Sequence, residues 1–338
     1  MLNPVLVETR RGNWVETVHR GSYAVCDAAG SVLAGVGDAS HPVLPRSAIK
    51  SMQALALFRS GAVDRFGLGD EAIALACASH LGEVEHIAGV TRTLARIGLG
   101  EADLECGAHS PSSPAARKAL ADSGAAPSAL HNNCSGKHAG MLADALALGV
   151  PTKAYVNREH PVQQLVRACV EEVIGTNLTT EACGTDGCSI PTWAAPLTAF
   201  ASGFARMATG EGLPEDLALA SKRIFSAATS HPYLIRGTGA LDSEAMAAFG
   251  GRLMLKIGAE GVYCGAVIDR GIGFALKIDD GSMPAAECAI ANLLLAIAEP
   301  TKAERAVLAK WADKPVVNWR GIETGGTRGA ANAYQKLS

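Results

Sequence analysis

The stretch His41-Pro-Val-Leu-Pro-Arg-Ser-Ala-Ile-Lys-Ser-Met-Gln-Ala-Leu-Ala-Leu-Phe58 divides the chain. Upstream of it the sequence reads as strands; downstream it reads as helices. Within it Ile49, Met52, Leu55 and Phe58 recur every three residues, which predicts a helix over 47–59 with one buried face. Pro45 suits a helix start, because its fixed φ is helical and a first-turn N–H has no partner anyway. The same run carries Ser47-x-x-Lys50, and residues three apart on a helix are neighbours, so the Lys50 amine is within reach of the Ser47 hydroxyl. A serine hydroxyl is a poor nucleophile until a base takes its proton, and burial turns a lysine into that base by disfavouring the ammonium form. Lowering a lysine pKa from about 10.4 to about 7 costs roughly 4.5 kcal/mol, so the role demands a dry pocket. Taken alone, the motif equally describes a surface helix start with a solvated lysine.

Working outward, residues 5–10, 14–19, 22–27 and 31–36 read as strands of an antiparallel meander, punctuated by Gly12, Gly21 and Ala28-Ala-Gly30. Helices are expected at 70–77, 83–97, 114–123, 136–148, 159–173, 194–209, 214–229 and 241–248. Strands return at 252–257, 262–268 and 273–278, followed by helices at 284–298 and 301–311 and a short strand near Val316. This order predicts an α+β fold: one antiparallel sheet built from about 4–45 and 250–320, beside a helical lobe over about 46–249, in a single catalytic unit over 1–338. There is no βαβ alternation and no Gly-rich phosphate-binding signature, so nothing points to a nucleotide.

Composition narrows the classes. The chain is 48% hydrophobic and 19% charged, which excludes an extended disordered chain, and its net charge of −3 provides no basic excess for nucleic acid. No window approaches the ~18 uninterrupted apolar residues of a membrane span. The N-terminal residues lack the basic and apolar segments of a signal peptide, so a cytoplasmic protein is expected. Nine scattered cysteines suit buried thiols better than a disulfide framework.

Three further constellations stand out. Ser79 in Cys77-Ala-Ser-His80-Leu-Gly-Glu83 either adds a hydroxyl to a site or caps a helix. Lys256-Ile-Gly258 lies at a strand end. The order Ser-x-x-Lys, Ser, Lys-x-Gly is that of penicillin-binding proteins and serine β-lactamases, which also set a terminal-strand sheet beside a helical lobe. Here Ser79-His-Leu departs from Ser-Asp-Asn and Ile257 replaces a threonine. Finally, Cys134, Lys137 and His138 lie one helical turn apart, and with Cys188 they make a plausible zinc site of two thiolates and a nitrogen. Spacing favours His138 as the nitrogen ligand, since lysine must first lose its proton; two unrelated buried thiols would explain the cysteines equally.

Together Arg46-Ser-Ala-Ile-Lys50, Ala78-Ser-His80 with Gly82-Glu83, Asn132-Asn-Cys-Ser-Gly-Lys-His-Ala-Gly-Met141, Asp186-Gly-Cys188, His231-Pro with Gly237-Thr-Gly239, and Lys256-x-Gly-Ala-Glu-Gly261 resemble the third class of L-asparaginases, the serine-hydrolase type. The resemblance runs from about residue 5 to about 325. It implies a penicillin-binding-protein-like fold, two Ser–Lys pairs (Ser47 with Lys50, Ser79 with Lys256), and zinc held by Cys134, Lys137 and Cys188, so that Lys137 replaces His138. It also implies hydrolysis of L-asparagine to L-aspartate and ammonia by a homodimer. Leu81 departs from the small polar residue expected after Ser-His.

The expected mechanism has Ser47 attacking the side-chain amide with neutral Lys50 as base and backbone N–H groups of Ser47 and of residues just after Lys256 as the oxyanion hole. Ser79 relays a proton between Lys256 and the departing ammonia. Asp186 is a candidate to accept the substrate ammonium or to buttress the metal, and with Arg46 and His80 it makes the candidate substrate-binding set. The nearest alternative is a serine-type glutaminase, β-lactam hydrolase or other amidase or esterase on the same scaffold; one methylene of pocket length is worth only about 1–3 kcal/mol. An alternative of another class is a non-catalytic zinc or thiol sensor, against which Lys50, Ser79 and Lys256 together weigh.

Overall fold

The computed structural model of the protein describes residues 2–337. Strands β1 (Val5–Arg11) and β2 (Trp14–Cys26) form a hairpin through Gly12, whose φ of +56° suits a tight turn. The strands expected at 14–19 and 22–27 are one 13-residue strand. Gly21 lies inside it: a Cβ there would fall 2.3 Å from the Lys277 carbonyl oxygen, so the glycine serves a close strand approach and not a reversal. Then come β3 (Val32–Val36), β4 (Leu253–Gly258), β5 (Val262–Val267), β6 (Ile272–Ile278), β7 (Asp313–Val317) and β8 (Glu323–Gly329).

These eight strands form one sheet in the order β7-β8-β1-β2-β6-β5-β4, with β3 also on β2, and every pairing in it is antiparallel. The expected sheet from both ends of the chain is present, and it extends to Gly329. Strand β8 was not expected, because Glu-Thr-Gly-Gly-Thr-Arg-Gly has no apolar alternation. Its glycines are needed by packing: a Cβ on Gly325 would lie 1.8 Å from the Arg10 carbonyl oxygen, and one on Gly329 would meet the Asn292 side chain.

The lobe between β3 and β4 is helical, with Asp70–Cys77, Val84–Arg96, Pro114–Asp122, Ser135–Leu148, Pro161–Ile174, Leu197–Thr209, Glu215–Ser230 and Leu241–Phe249 close to expectation. Helices Leu197–Thr209 and Met283–Ile297 both pack on the sheet. Gly273 permits the first contact, since a Cβ there would stand 2.0 Å from the Ala201 carbonyl oxygen. No helix among the described residues is long and apolar enough to cross a membrane.

The run at 47–59 is not one helix. It winds as a 3₁₀ turn over Arg46–Ile49 and two single α-turns, Lys50–Gln53 and Ala56–Arg59. The three-residue recurrence of its apolar positions suits this: a 3₁₀ helix has three residues per turn, so side chains at i and i+3 eclipse. Between the pieces, Leu55 and Leu57 donate their N–H groups to carbonyls three residues back, on Met52 and Ala54.

Candidate active site

Three segments converge where the lobe meets the sheet edge: the turn 45–50, the connection 78–81, and the end of β4. The turn is entered through Arg46, whose φ of +52° is a left-handed conformation that non-glycine residues seldom adopt. Such backbones cost about 1–3 kcal/mol and persist where surrounding structure holds them. Two more, Ser189 and Glu260, stand beside Cys188 and Ala259. The end of β4 approaches the turn closely, because Gly258 has no side chain: a Cβ there would lie 2.6 Å from the Pro45 carbonyl oxygen and 3.1 Å from the Ala48 nitrogen.

Ser79 follows helix Asp70–Cys77, where Ala78 turns extended. It does not cap the next helix; Glu83 holds that position, its N–H bonded to His86 Nδ1. The Ser79 N–H donates to the Ile235 carbonyl and the Leu81 N–H to the Arg236 carbonyl, so the connection is held like a strand.

Both expected lysines point at this serine. Lys50 Nζ is 3.0 Å and Lys256 Nζ 2.8 Å from Ser79 Oγ, and both side chains are fully buried. Lys50 also donates to the Ala78 carbonyl and, at 3.2 Å, to Cys134 Sγ. The expected Ser47–Lys50 hydrogen bond is not formed: the buried amine turns toward Ala78, Ser79 and Cys134, which satisfy its three donors. Lys256 donates to the Ile257 carbonyl in addition to Ser79. Burial, and then the nearby Lys50 charge, push the Lys256 pKa well below the usual lysine range. Burial also lowers that of Lys50, with the Cys134 charge opposing. Lys256 is therefore the amine best placed to be neutral.

Ser47 and Ser79 both line a pocket of about 170 Å³, together with Asn133, Arg236, Ile257, Gly258, Ala259 and Met283. That is below the ~300–1,000 Å³ of drug-sized sites, and it suits a small ligand. Three larger surface clefts, of 500 to 690 Å³, include neither serine. The Ser47 N–H belongs to the first turn of a helix, where donors lack an intrahelical acceptor, and residues 258–259 face it across the pocket.

Behind Lys50 lies the cysteine cluster. It is Lys137 and not His138 that reaches Cys188, at 3.1 Å, while His138 Nδ1 bonds Tyr155 Oη at 2.7 Å. The neighbouring Cys188, with the charges of Lys50 and Lys137, holds the Cys134 thiol well below its usual range, while the neighbouring Cys134, and burial, push Cys188 up. Burial alone would lower the Lys137 pKa, but the charges of Cys188 and Cys134 raise it above the ordinary lysine value. Among the described residues no three of His, Cys, Asp and Glu gather as metal ligands. Two sulfurs and an amine do gather, and this S₂N donor set fits zinc once the amine and the second thiol lose their protons.

The remaining expected residues are placed differently. Asp186 is taken up by Arg46, accepting from Nε at 3.1 Å and Nη2 at 2.8 Å, and accepts the Gly187 N–H as well. His80 is fully buried behind Ser79, its Nε2 2.9 Å from Ser135 Oγ and its ring stacked on His86; it does not line the pocket. Leu81 packs on Gly237 and does not line it either. Asn133, Arg236, Ala259 and Met283 were not foreseen as site residues. Asn133, Ala259 and Arg236 stand inside or beside quoted motifs, and only folding shows which of them face the cavity.

Residues 7–329 match the family described as L-asparaginase II. No curated protein sequence matches the chain. Among solved structures, Mglu is similar over 86% of this chain and 65% of its own, at 17% identity and a TM-score of 0.42. Mglu in its tris and glutamate form is similar over 92% of this chain and 62% of its own, at 15% identity and a TM-score of 0.43. This chain thus spans less than two thirds of Mglu. A β-lactamase from Mycobacterium bovis is similar over 86% of this chain and 94% of its own, at 13% identity and a TM-score of 0.42.

Proposed function

Because this chain belongs to the L-asparaginase II family, we propose that it hydrolyses the side-chain amide of L-asparagine to L-aspartate and ammonia. The family indicates an amidohydrolase acting on a small amide. The observation that carries the finer reading is the Ser79 hydroxyl held between two fully buried amines, at the wall of a small pocket that Ser47 shares.

In this reading Ser47 Oγ attacks the amide carbon, and its proton enters the Lys50–Ser79–Lys256 chain. The oxyanion accepts from backbone N–H groups of Ser47 and of the residues after Lys256. Collapse breaks the C–N bond, and the nitrogen leaves as ammonia with a proton returned through Ser79. Water then attacks the aspartyl ester, giving up a proton to the same chain, and L-aspartate departs with Ser47 reprotonated. Cys134, Lys137 and Cys188 would hold zinc, which when bound would supply a Lewis acid that holds the pocket in shape from behind Lys50. The Arg46–Asp186 pair braces the strained turn that presents Ser47.

A second reading has Ser79 as the nucleophile and Lys256 as its base. It is favoured by the hydrogen bonds to Ser79, whereas Ser47 and Lys50 are not bonded. Ammonia release from L-asparagine and L-glutamine by wild type, Ser47→Ala and Ser79→Ala, with mass spectrometry of the acylated peptide, separates the readings. An adduct on residue 47 and an inactive, folded Ser47→Ala support the first; an adduct on residue 79 supports the second. Absence of ammonia release by wild type from either amide refutes both.

A further inference from the structure

Arg236 is a cation in the reactive pocket whose charge reaches the Glu287 carboxyl without a direct ion pair. It lines the cavity with Ser47 and Ser79 and is half-buried. Its one side-chain hydrogen bond runs from Nη1 to the Ser79 carbonyl at 2.8 Å. Among the described residues no carboxylate lies within ion-pair distance. A guanidinium has five N–H donors in a planar fork suited to a carboxylate, and the rest of them have no protein acceptor among the described residues. Arg46, the other arginine beside the site, is already engaged by Asp186 through two N–H groups.

The position is also stiff. The backbone carbonyls of Ile235 and Arg236 accept the N–H groups of Ser79 and Leu81, at 2.9 and 2.7 Å. The next residue, Gly237, has a φ of +133°, which excludes ordinary side chains, and its N–H donates to Ser243 Oγ at 3.1 Å. A Cβ at Gly237 would meet the Leu81 side chain and Glu83 Oε2 at 3.1 Å. The unusual leucine after Ser79-His80 thus packs under the turn that aims Arg236. A guanidinium fixed before the ligand arrives loses little freedom on binding.

We propose that Arg236 binds the α-carboxylate of the amino-acid substrate and makes the enzyme selective for amides that carry one. The inference deepens the amidohydrolase reading and rests on it for the reaction. The guanidinium takes the carboxylate at one end of the pocket, the side-chain amide lies at Ser47, and the bond to Ser79 places the two ends in register. Arg236 is in this role a substrate-binding residue and moves no proton.

The test compares ligands with and without that group. L-asparagine and β-alaninamide, which is L-asparagine without its α-carboxylate, are assayed for ammonia release with wild type, Arg236→Gln and Arg236→Lys. L-aspartate and β-alanine, the corresponding acids, are titrated calorimetrically into the same proteins. Removing a charge-assisted hydrogen bond is expected to raise KM for L-asparagine and Kd for L-aspartate by roughly 10- to 100-fold. The loss of kcat/KM in Arg236→Gln should be at least about 10-fold larger for L-asparagine than for β-alaninamide, and Arg236→Lys should recover part of the L-aspartate affinity. Equal losses on both amides would overturn the inference in favour of a structural role through the Ser79 carbonyl, and so would an unchanged L-aspartate Kd in Arg236→Gln or a wild type that binds no L-aspartate. If wild type releases no ammonia from L-asparagine yet binds L-aspartate in an Arg236-dependent way, the asparaginase reading fails and the carboxylate site stands.

Discussion

Lys256 and Lys137 are the same side chain, each almost wholly removed from water, in two neighbouring parts of one site. Their pKa values move in opposite directions. Lys256 faces Ser79, a backbone carbonyl and the Lys50 ammonium, so desolvation and like charge both favour the neutral amine. Lys137 donates to Cys188 beside Cys134, and the electrostatic influence of these two sulfurs outweighs desolvation. Burial by itself therefore does not make a base. The charge beside a buried lysine decides which way its pKa moves. Lys50 belongs to both parts, touching Ser79 on one side and Cys134 on the other.

The sharpest way to break this contrast is to remove each amine in turn. Lys256→Met should lower kcat for L-asparagine by about 10²–10⁴-fold, the usual range for losing a proton-transfer group, and leave bound zinc unchanged. Lys137→Met should do the reverse in kind. Zinc affinity, measured by competition with a chelating dye, should fall by more than about 100-fold, the upper end of what outer-shell changes cost. Equal effects of both variants on zinc content would erase the distinction.

A smaller effect concerns pH. The proposed reaction needs Lys256 neutral, so kcat/KM should fall about tenfold per pH unit below its pKa. Lys50→Met removes the charge that helps hold that pKa down, so the acidic limb should move to higher pH. The limb is read from the residual activity; a limb that stays in place means Lys50 does not act on Lys256 electrostatically.

The smallest effect is on stability. Because the folded pKa of Lys256 lies below the unfolded value of 10.5, the unfolded chain binds the extra proton between the two. The Lys256 contribution therefore makes stability rise with pH up to about 10.5 and fall as pH drops toward the folded pKa. Lys137, with its pKa raised, contributes stability that is present below 10.5 and is lost only as pH rises further. Urea midpoints of Lys256→Met should rise less steeply than those of wild type between neutral pH and pH 10; an identical slope would mean that Lys256 stays charged in the folded protein.

Legibility in the sequence followed the range of the interactions concerned. Helices such as 70–77 and 241–248 were readable because their apolar periodicity and their boundaries are local. The long strand β2 and the glycine-rich β8 were misjudged or missed because Gly21, Gly325 and Gly329 answer to backbone that arrives from distant segments. At the site, Ser47, Lys50, Ser79 and Lys256 do come together, and so do Cys134, Lys137 and Cys188. Their pairing was not legible. Spacing made Ser47 and Lys50 neighbours, yet the buried amine answers to Ala78, Ser79 and Cys134. Arg236 carried no signal beyond lying next to Gly237-Thr-Gly239.

Strand β1 lies between β2 and β8, with Val7 opposite Gly329. On the ribosome, that arrangement imposes a schedule. Residues 5–11 must wait with one edge unpaired until residues 323–329 emerge, and contacts this distant in sequence form slowly. The amine of Lys256 is meanwhile mounted on β4, at the far edge of the same sheet, so the proposed base is translated well before its scaffold closes. Nascent chains stalled before residue 323 should therefore release no ammonia even when the whole reactive pocket has been synthesised, and activity in such stalled chains would show that the sheet does not need its last strand.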